Sequence, residues 1–451
     1  MHTVFPSLSE LTDERFLADF RSMSTHGATP AGGVHREAGT PADMANRHWF
    51  HGLLEGYGAR VVYDEIGNQF GLWEIYPGRP YVLVGSHLDS QPFGGRFDGA
   101  YGVLSGAHAC ARVAAERYET SEGSTHDAGA AEGTPAGSAE VPLNVAVVNW
   151  FNEEGSRFKP SMMGSSVFTG KASAEDMLAV CDAAGVSVRE ALRAMELPTD
   201  PPADLPTIHS YAEIHIEQGK DMDAQGITIG VVDKTWGARK YEVAVHGFQS
   251  HTGSSLLEDR HDALYGAALI VTEMRRIGEK YTTADQPLVT SCGQLNVIPN
   301  SPVVVAQGAE LLVDLRCGDE AVLQAADDEF RNALADIERR AAVDIELRDS
   351  HAWTEQAYTD AGVDLAEHVA SSLNLTFVRT QTRAGHDSTN VKDVLPTVML
   401  FVPSKDGISH NELEFTHDAD MVAGLSMLTR TLSTMTSNPL DDEGQPRGVG
   451  A

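Results

Sequence analysis

Val145-Ala-Val-Val-Asn-Trp-Phe-Asn-Glu-Glu-Gly155 is an apolar run that ends in two adjacent acids, Glu153 and Glu154. Neighbouring side chains on an extended backbone point to opposite sides, so these two carboxylates face different surroundings. Two negative charges at the tip of a buried strand are costly unless a cation or a shared proton compensates them. A division of labour resolves that cost, with one acid on a metal and the other handling a proton. The plain alternative is a solvated strand end, and three further runs argue against it.

Tyr81-Val-Leu-Val-Gly-Ser-His87 runs on to Gly-Gly-Arg-Phe-Asp98-Gly, Tyr211-Ala-Glu-Ile-His215 to Gln218-Gly219, and Thr397-Val-Met-Leu-Phe-Val-Pro403 to Gly407-Ile-Ser-His410. Short apolar runs bounded by Gly and Pro read as buried strands of a mostly parallel sheet. In open α/β sheets, sites form at the carboxyl ends of such strands. The four tips then gather His87, Asp98, Glu153, Glu154, His215 and His410, a set that suits a two-metal hydrolytic centre with one carboxylate left over as base. The chain holds 18 His, so His26, His35, His108 and His126 are read as ordinary surface or core residues.

The fold class expected is α/β: a mostly parallel-sheet catalytic domain with an inserted two-layer α+β domain. The first part of the catalytic domain covers 1–235, opening on a helical stretch to about Gly58 with Thr40-Pro-Ala-Asp43 as a helix start. Strands near 60–75, 80–86 and 143–151 follow. The segment 119–142, poor in apolar residues and rich in Gly, Ala, Ser and Glu, reads as a disordered acidic insertion. Residues 236–352 alternate strands and amphipathic helices in the order β-α-β-β-α-β, a small two-layer domain inserted into the larger one. The catalytic domain resumes over 353–437, because His410 must reach the other ligands, and 438–451 is read as a disordered tail.

The 451 residues carry 33 basic against 65 acidic side chains, a net charge of −32, and only 8 of the basic residues are Lys. Such a surface repels nucleic acid and anionic membranes, and suits a high-salt cytosol in which self-repulsion is screened. The four scattered cysteines show neither a disulfide framework nor thiolate-zinc spacing. No run reaches the ~20 apolar residues of a membrane span, and no leader-like stretch opens the chain. A cytoplasmic protein is expected.

Gly85-Ser-His-Leu-Asp-Ser-Gln-Pro-Phe-Gly-Gly-Arg-Phe-Asp-Gly-Ala-Tyr-Gly-Val103, Asn149-Trp-Phe-Asn-Glu-Glu-Gly-Ser-Arg-Phe158, His215-Ile-Glu-Gln-Gly219, Gly385-His-Asp387 and Gly407-Ile-Ser-His410 together resemble the amidase, hydantoinase/carbamoylase branch of the M20 metallopeptidase clan, from about Val34 to Leu428. That resemblance implies two divalent ions per subunit, of Zn, Mn, Co or Ni. Asp98 would bridge them, with His87 and His215 completing one site and Glu154 and His410 the other. Glu153 would be the general base. Asp89, two residues past His87, could orient that imidazole. In the inserted domain the resemblance implies that His251 contacts the scissile group, often from the partner subunit of a homodimer, and that Arg316 grips a substrate carboxylate through its planar fork. Gln218 and Gly385 would be further substrate contacts, and the inserted domain 236–352 would serve as lid and dimerisation domain. The activity implied is hydrolysis of a linear C–N bond, N-carbamoyl-L-amino acids first, with allantoate or β-ureidopropionate as rivals. An exopeptidase and an inactive metal-binding partner protein rank lower. Two positions depart from the branch, Val303 where it usually places Asn and Arg383 where it places Gly, and both are expected to shift substrate preference.

Overall fold

The computed structural model describes residues 6–124, 142–196 and 205–440. Strands β1 (Arg60–Tyr63), β2 (Gln69–Trp73), β3 (Tyr81–His87), β4 (Asn144–Trp150), β5 (Ile208–Ile216) and β6 (Ile229–Thr235) come first. They are followed by β7 (Gly237–His246), β8 (Ser250–His251), β9 (Leu288–Ile298), β10 (Val304–Val305), β11 (Gly308–Cys317), β12 (Asp344–Trp353) and β13 (Gln356–Ala357). The last two are β14 (Phe377–Thr382) and β15 (Thr397–Val402). The longer helices, in chain order, are α1 (Asp13–Met23), α2 (Pro41–Gly56), α3 (Ala100–Ser124), α4 (Ala263–Tyr281), α5 (Glu320–Ala341), α6 (Asp360–Ser372) and α7 (Asp418–Ser437).

The chain forms two compact units. The larger takes residues 1–233, 358–380 and 385–451, and the smaller 234–357 with 381–384. The smaller unit is therefore wider than 236–352: the division falls inside β6 and β14 rather than after them. Of the stretch 119–142, Glu119–Ser124 continues α3, while 125–141 lies outside the described residues, as does 441–451 of the tail. A helix already nucleated in its packed turns extends through polar residues at little cost, which accounts for the longer α3.

In the larger unit, β4-β3-β5-β15 are neighbours and mutually parallel. Antiparallel pairings flank them: β1 with β2, β2 with β4, and β15 with β6. The stretch 60–75 is thus a hairpin, not one strand. β3, β4 and β15 are buried along their whole length, as continuous apolar runs on a doubly covered sheet should be. α3 packs against α7 and the sheet, and the apolar residues of both helices complete the core. Thr40 caps α2, its hydroxyl accepting the Asp43 N–H at 3.3 Å, with Pro41 at the first helical position. The parallel block aligns four strand ends on one edge.

The smaller unit has a four-stranded antiparallel sheet in the order β12-β7-β11-β9, with α4 and α5 packed on it. A two-residue ribbon, β8 with β10, stands apart from that sheet. No helix among the described residues is long and apolar enough to cross a membrane.

Candidate metal centre

His87 is the last residue of β3, His215 lies near the end of β5, Glu153 and Glu154 follow β4, and His410 follows β15. Asp98 lies in the loop leading into α3. The next residue, Gly99, has φ +63°, and a Cβ there would lie 2.4 Å from the His87 ring, so only glycine lets this turn bring Asp98 up to the imidazole.

The larger unit brings its candidate ligands into two groups that share Asp98: His87, Asp98 and His215; and Asp98, Glu154 and His410. Within each group one ligand atom per residue lies within 4.8 Å of the others. Asp98 Oδ1 is 3.0 Å from His215 Nε2 and 3.6 Å from His87 Nε2, while Oδ2 is 3.2 Å from His410 Nε2. Glu154 Oε2 is 3.6 Å from His410 Nε2. Glu153 falls outside both groups, with Oε2 3.6 Å from His87 Nε2.

The hydrogen bonds test whether these residues suit a cation. His87 Nδ1 is 2.9 Å from the Asp89 carbonyl and His215 Nδ1 is 2.9 Å from the Ile216 carbonyl. Each Nδ1–H donates there, which leaves the Nε2 atoms as acceptors: that of His87 lies 3.6 Å from both the Asp98 and the Glu153 carboxylates, and that of His215 lies 3.0 Å from Asp98 while also accepting the Gly99 N–H at 3.0 Å. Lone pairs facing a carboxylate repel unless a cation or a proton lies between them. Imidazole with carboxylate is also the donor set of first-row divalent ions. The residues fit the group.

The electrostatics agree. Burial alone would lower the His410 pKa, but Asp98 and Glu154 outweigh it and push it up to about 10. Asp98, although buried, is held well below the usual carboxylate range by His215, His410 and His87. Burial raises Glu153 well above that range against the pull of His87, and Asp387 and Glu154 add to the rise. The acids demand positive charge here, which bound divalent ions would supply.

Asp89 differs from its expected role. Its carbonyl, not its carboxylate, orients His87: the carboxylate is 3.7 Å from Nδ1 and accepts instead from the Glu153 and Glu154 N–H groups, both at 3.3 Å. The side chain is used to hold the paired-acid turn. Glu154 in turn accepts from Gln91 N–H at 3.1 Å and Gln91 Nε2 at 2.8 Å. Gln218 Nε2 donates to Asp98 Oδ2 at 2.9 Å. Gln218 and His410 both carry φ above +50°, a backbone state that non-glycine residues keep chiefly where surrounding structure enforces it.

Gly385 directly precedes His386, whose ring centroid is 4.4 Å from that of His215. His251 and Arg316 belong to the smaller unit. His251 is exposed on the β8 ribbon opposite Val304, and its Nδ1 accepts the Gly253 N–H at 2.9 Å. The Arg316 guanidinium is engaged by Asp314, with Nη2 at 2.7 Å, and donates to the Arg383 carbonyl at 3.0 Å. Arg383 lies over the Trp236 ring, 5.3 Å from its centroid, and Val303 is exposed.

Sequence reasoning missed Glu213 and Ser409. Glu213 is buried and accepts from Ser86 Oγ at 3.0 Å, Ser388 N–H at 2.8 Å and Tyr211 OH at 3.2 Å. Its signal was present: it lies two residues before His215, on the same side of β5.

Residues 83–434 match the profile of peptidase family M20/M25/M40. This chain belongs to that family. A Mycolicibacterium smegmatis protein with a provisional hydrolase name is 50% identical to this M20 chain over 436 residues, 96% of the chain and 95% of its own length. The allantoate amidohydrolase of Escherichia coli is 31% identical, over 91% and 95%. The N-carbamoyl-L-amino-acid amidohydrolase of Rhizobium meliloti is 30% identical, over 89% and 91%. Among solved structures, an amidase of the hydantoinase/carbamoylase family from Burkholderia vietnamiensis superposes with a TM-score of 0.85 at 34% identity, covering 95% of this M20 chain and 98% of its own. The resemblance read from the motifs is thus the family the chain falls in.

Proposed function

We infer that this protein is a metal-dependent amidohydrolase of linear ureido compounds, converting an N-carbamoyl-L-amino acid to the amino acid, CO2 and ammonia. The observation that carries the reading is the pair of ligand groups sharing Asp98, with Glu153 outside both and 3.6 Å from His87. Two divalent ions held by His87, Asp98 and His215 and by Asp98, Glu154 and His410 would supply an acidified water and a polarised carbonyl. Glu153 takes the proton of the attacking water and returns it to the departing nitrogen. Arg316 anchors the substrate carboxylate, exchanging part of its pairing with Asp314 for it. His251, Gln218 and Gly385 are assigned to the ureido group.

The amidohydrolase names of relatives near 30% identity support the reaction class, and their two different substrates keep allantoate as the rival. An ammonia-release assay over N-carbamoyl-L-amino acids, N-carbamoyl-β-alanine and allantoate tests the reading. The N-carbamoyl-L-amino acids should give the highest kcat/KM. Cleavage of dipeptides with no ammonia from any ureido compound would sink it.

The same reading includes a cytoplasmic homodimer formed through the smaller unit. β9 is an edge strand of its sheet, with Val289, Leu295 and Ile298 exposed, and α4 exposes Leu264, Tyr265 and Val271. An open apolar edge invites pairing with a second copy. Sedimentation should show a dimer that Leu295→Lys combined with Val271→Lys converts to monomer. A wild-type monomer with full activity would exclude any contribution of His251 in trans.

A further inference from the structure

Glu414 follows His410 by four residues and is 4% exposed, yet the reaction outlined above makes no use of it. Its Oε1 accepts the backbone N–H of Phe97 and of Asp98, both at 3.0 Å. Its Oε2 accepts the Ser409 hydroxyl at 2.8 Å. The facing loop is shaped to receive it, since a Cβ at Gly95 would lie 1.9 Å from Glu414 Oε1. One buried carboxylate therefore ties the loop that carries Asp98 to the loop that carries His410.

The direction of these bonds has a second consequence. Ser409 has one hydroxyl proton, and Glu414 takes it. The Ser409 lone pairs are left to accept from Gln218 Nε2, 3.2 Å away. The other proton of that amide goes to Asp98 Oδ2 at 2.9 Å. Glu414 thus reinforces, through Ser409, the orientation of the Gln218 amide that the Asp98 carboxylate, itself only an acceptor, selects. Were the Ser409 proton released, its nearest alternative acceptor is Asp98 Oδ2 itself, at 3.4 Å.

We propose that Glu414 is a positioning residue: by holding the Asp98 backbone and the Ser409 proton, it keeps Asp98 Oδ2 available to the cation shared with Glu154 and His410. This rests on the assignment of the two ligand groups, and the test separates the two ideas. Chelator-stripped protein is titrated with Co²⁺ and followed by visible absorption. Two Co²⁺ per wild-type chain is required by the ligand assignment alone; a single ion would overturn both ideas together. Glu414→Gln keeps an oxygen for the two backbone N–H groups but offers Ser409 an N–H in place of a lone pair. It should weaken one of the two Co²⁺ steps by about tenfold or more and change that ion's absorption, leaving the other step nearly unchanged. Ser409→Ala, a small deletion that tolerates folding, should weaken the same step. The double variant should bind no worse than Glu414→Gln alone, because both act on one network. Wild-type Co²⁺ affinity with only a lowered Tm, or strictly additive losses, would make Glu414 a structural prop and overturn the proposal.

Discussion

Glu153 and Glu154 are adjacent in sequence and differ in surroundings. Glu153 is buried against His87, and Glu154 reaches His410 and the Gln91 amide. Glu153→Gln should retain both metal ions and lose turnover by several orders of magnitude, since the proton acceptor and donor vanish together. Glu154→Gln should instead lower the occupancy of one ion. Metal analysis beside rate measurements checks the pair, and equal metal loss in both variants would refute the division of roles. The candidate ligands His87, His215 and Glu154 could be picked out in the sequence because they lie at or shortly after strand ends, whereas Asp98 and His410 lie further along the loops that follow β3 and β15. The Asp89 carboxylate was not, because its partners are backbone N–H groups 64 and 65 residues away, and backbone donors leave no mark in a sequence. Glu414 was hidden for the same reason, its Asp98 partner lying 316 residues distant.

At the scale of elements, β3, β4 and β15 could be read from their apolar runs and β5 from one broken by Ser210 and Glu213, while the β1–β2 hairpin was not resolved, although Gly67-Asn68 lies in its five-residue connection. The helices α1 and α3 are joined by a contact that sequence does not announce. Asp19 of α1 accepts Tyr57 OH at 2.6 Å and Arg15 Nε at 2.9 Å, and His108 Nε2 of α3 lies 3.2 Å away. Burial would raise the Asp19 pKa, but the bonds from His108, Tyr57 and Arg15 outweigh it and hold it below its ordinary 3.8. A depressed carboxylate stabilises the fold above its unfolded pKa, and that contribution is lost as pH falls through the folded value. Asp19→Asn should therefore cost about 1.5–3 kcal/mol near pH 7, the range for a hydrogen bond to a charged group. The gap between variant and wild type should close below about pH 4, where the unfolded carboxyl begins to protonate. Denaturant melts at pH 7 and pH 3 measure it, and an equal gap at both would show that the Asp19 charge contributes nothing.

For the whole molecule the charge of −32 dominates, as 33 basic side chains face 65 acidic ones. The described ion pairs are mostly on the surface and consume the scarce basic residues: Arg276 and Lys280 both serve Glu329, and Arg379 serves Asp364 and Glu367. Exposed pairs of this kind add little stability each, and 32 acids stand in excess of the basic residues. Self-repulsion between them opposes the compact state and is relieved by added salt. Screening alone acts chiefly below about 0.15 M, where the Debye length falls to roughly 8 Å. An acidic surface poor in Lys argues for more than that, a fold that continues to gain stability as KCl rises toward molar concentrations. The Tm should climb through the low-salt range and keep climbing beyond it. A plateau reached at physiological ionic strength would reduce the effect to ordinary screening, and an unchanged Tm across the whole range would refute the high-salt reading of the surface.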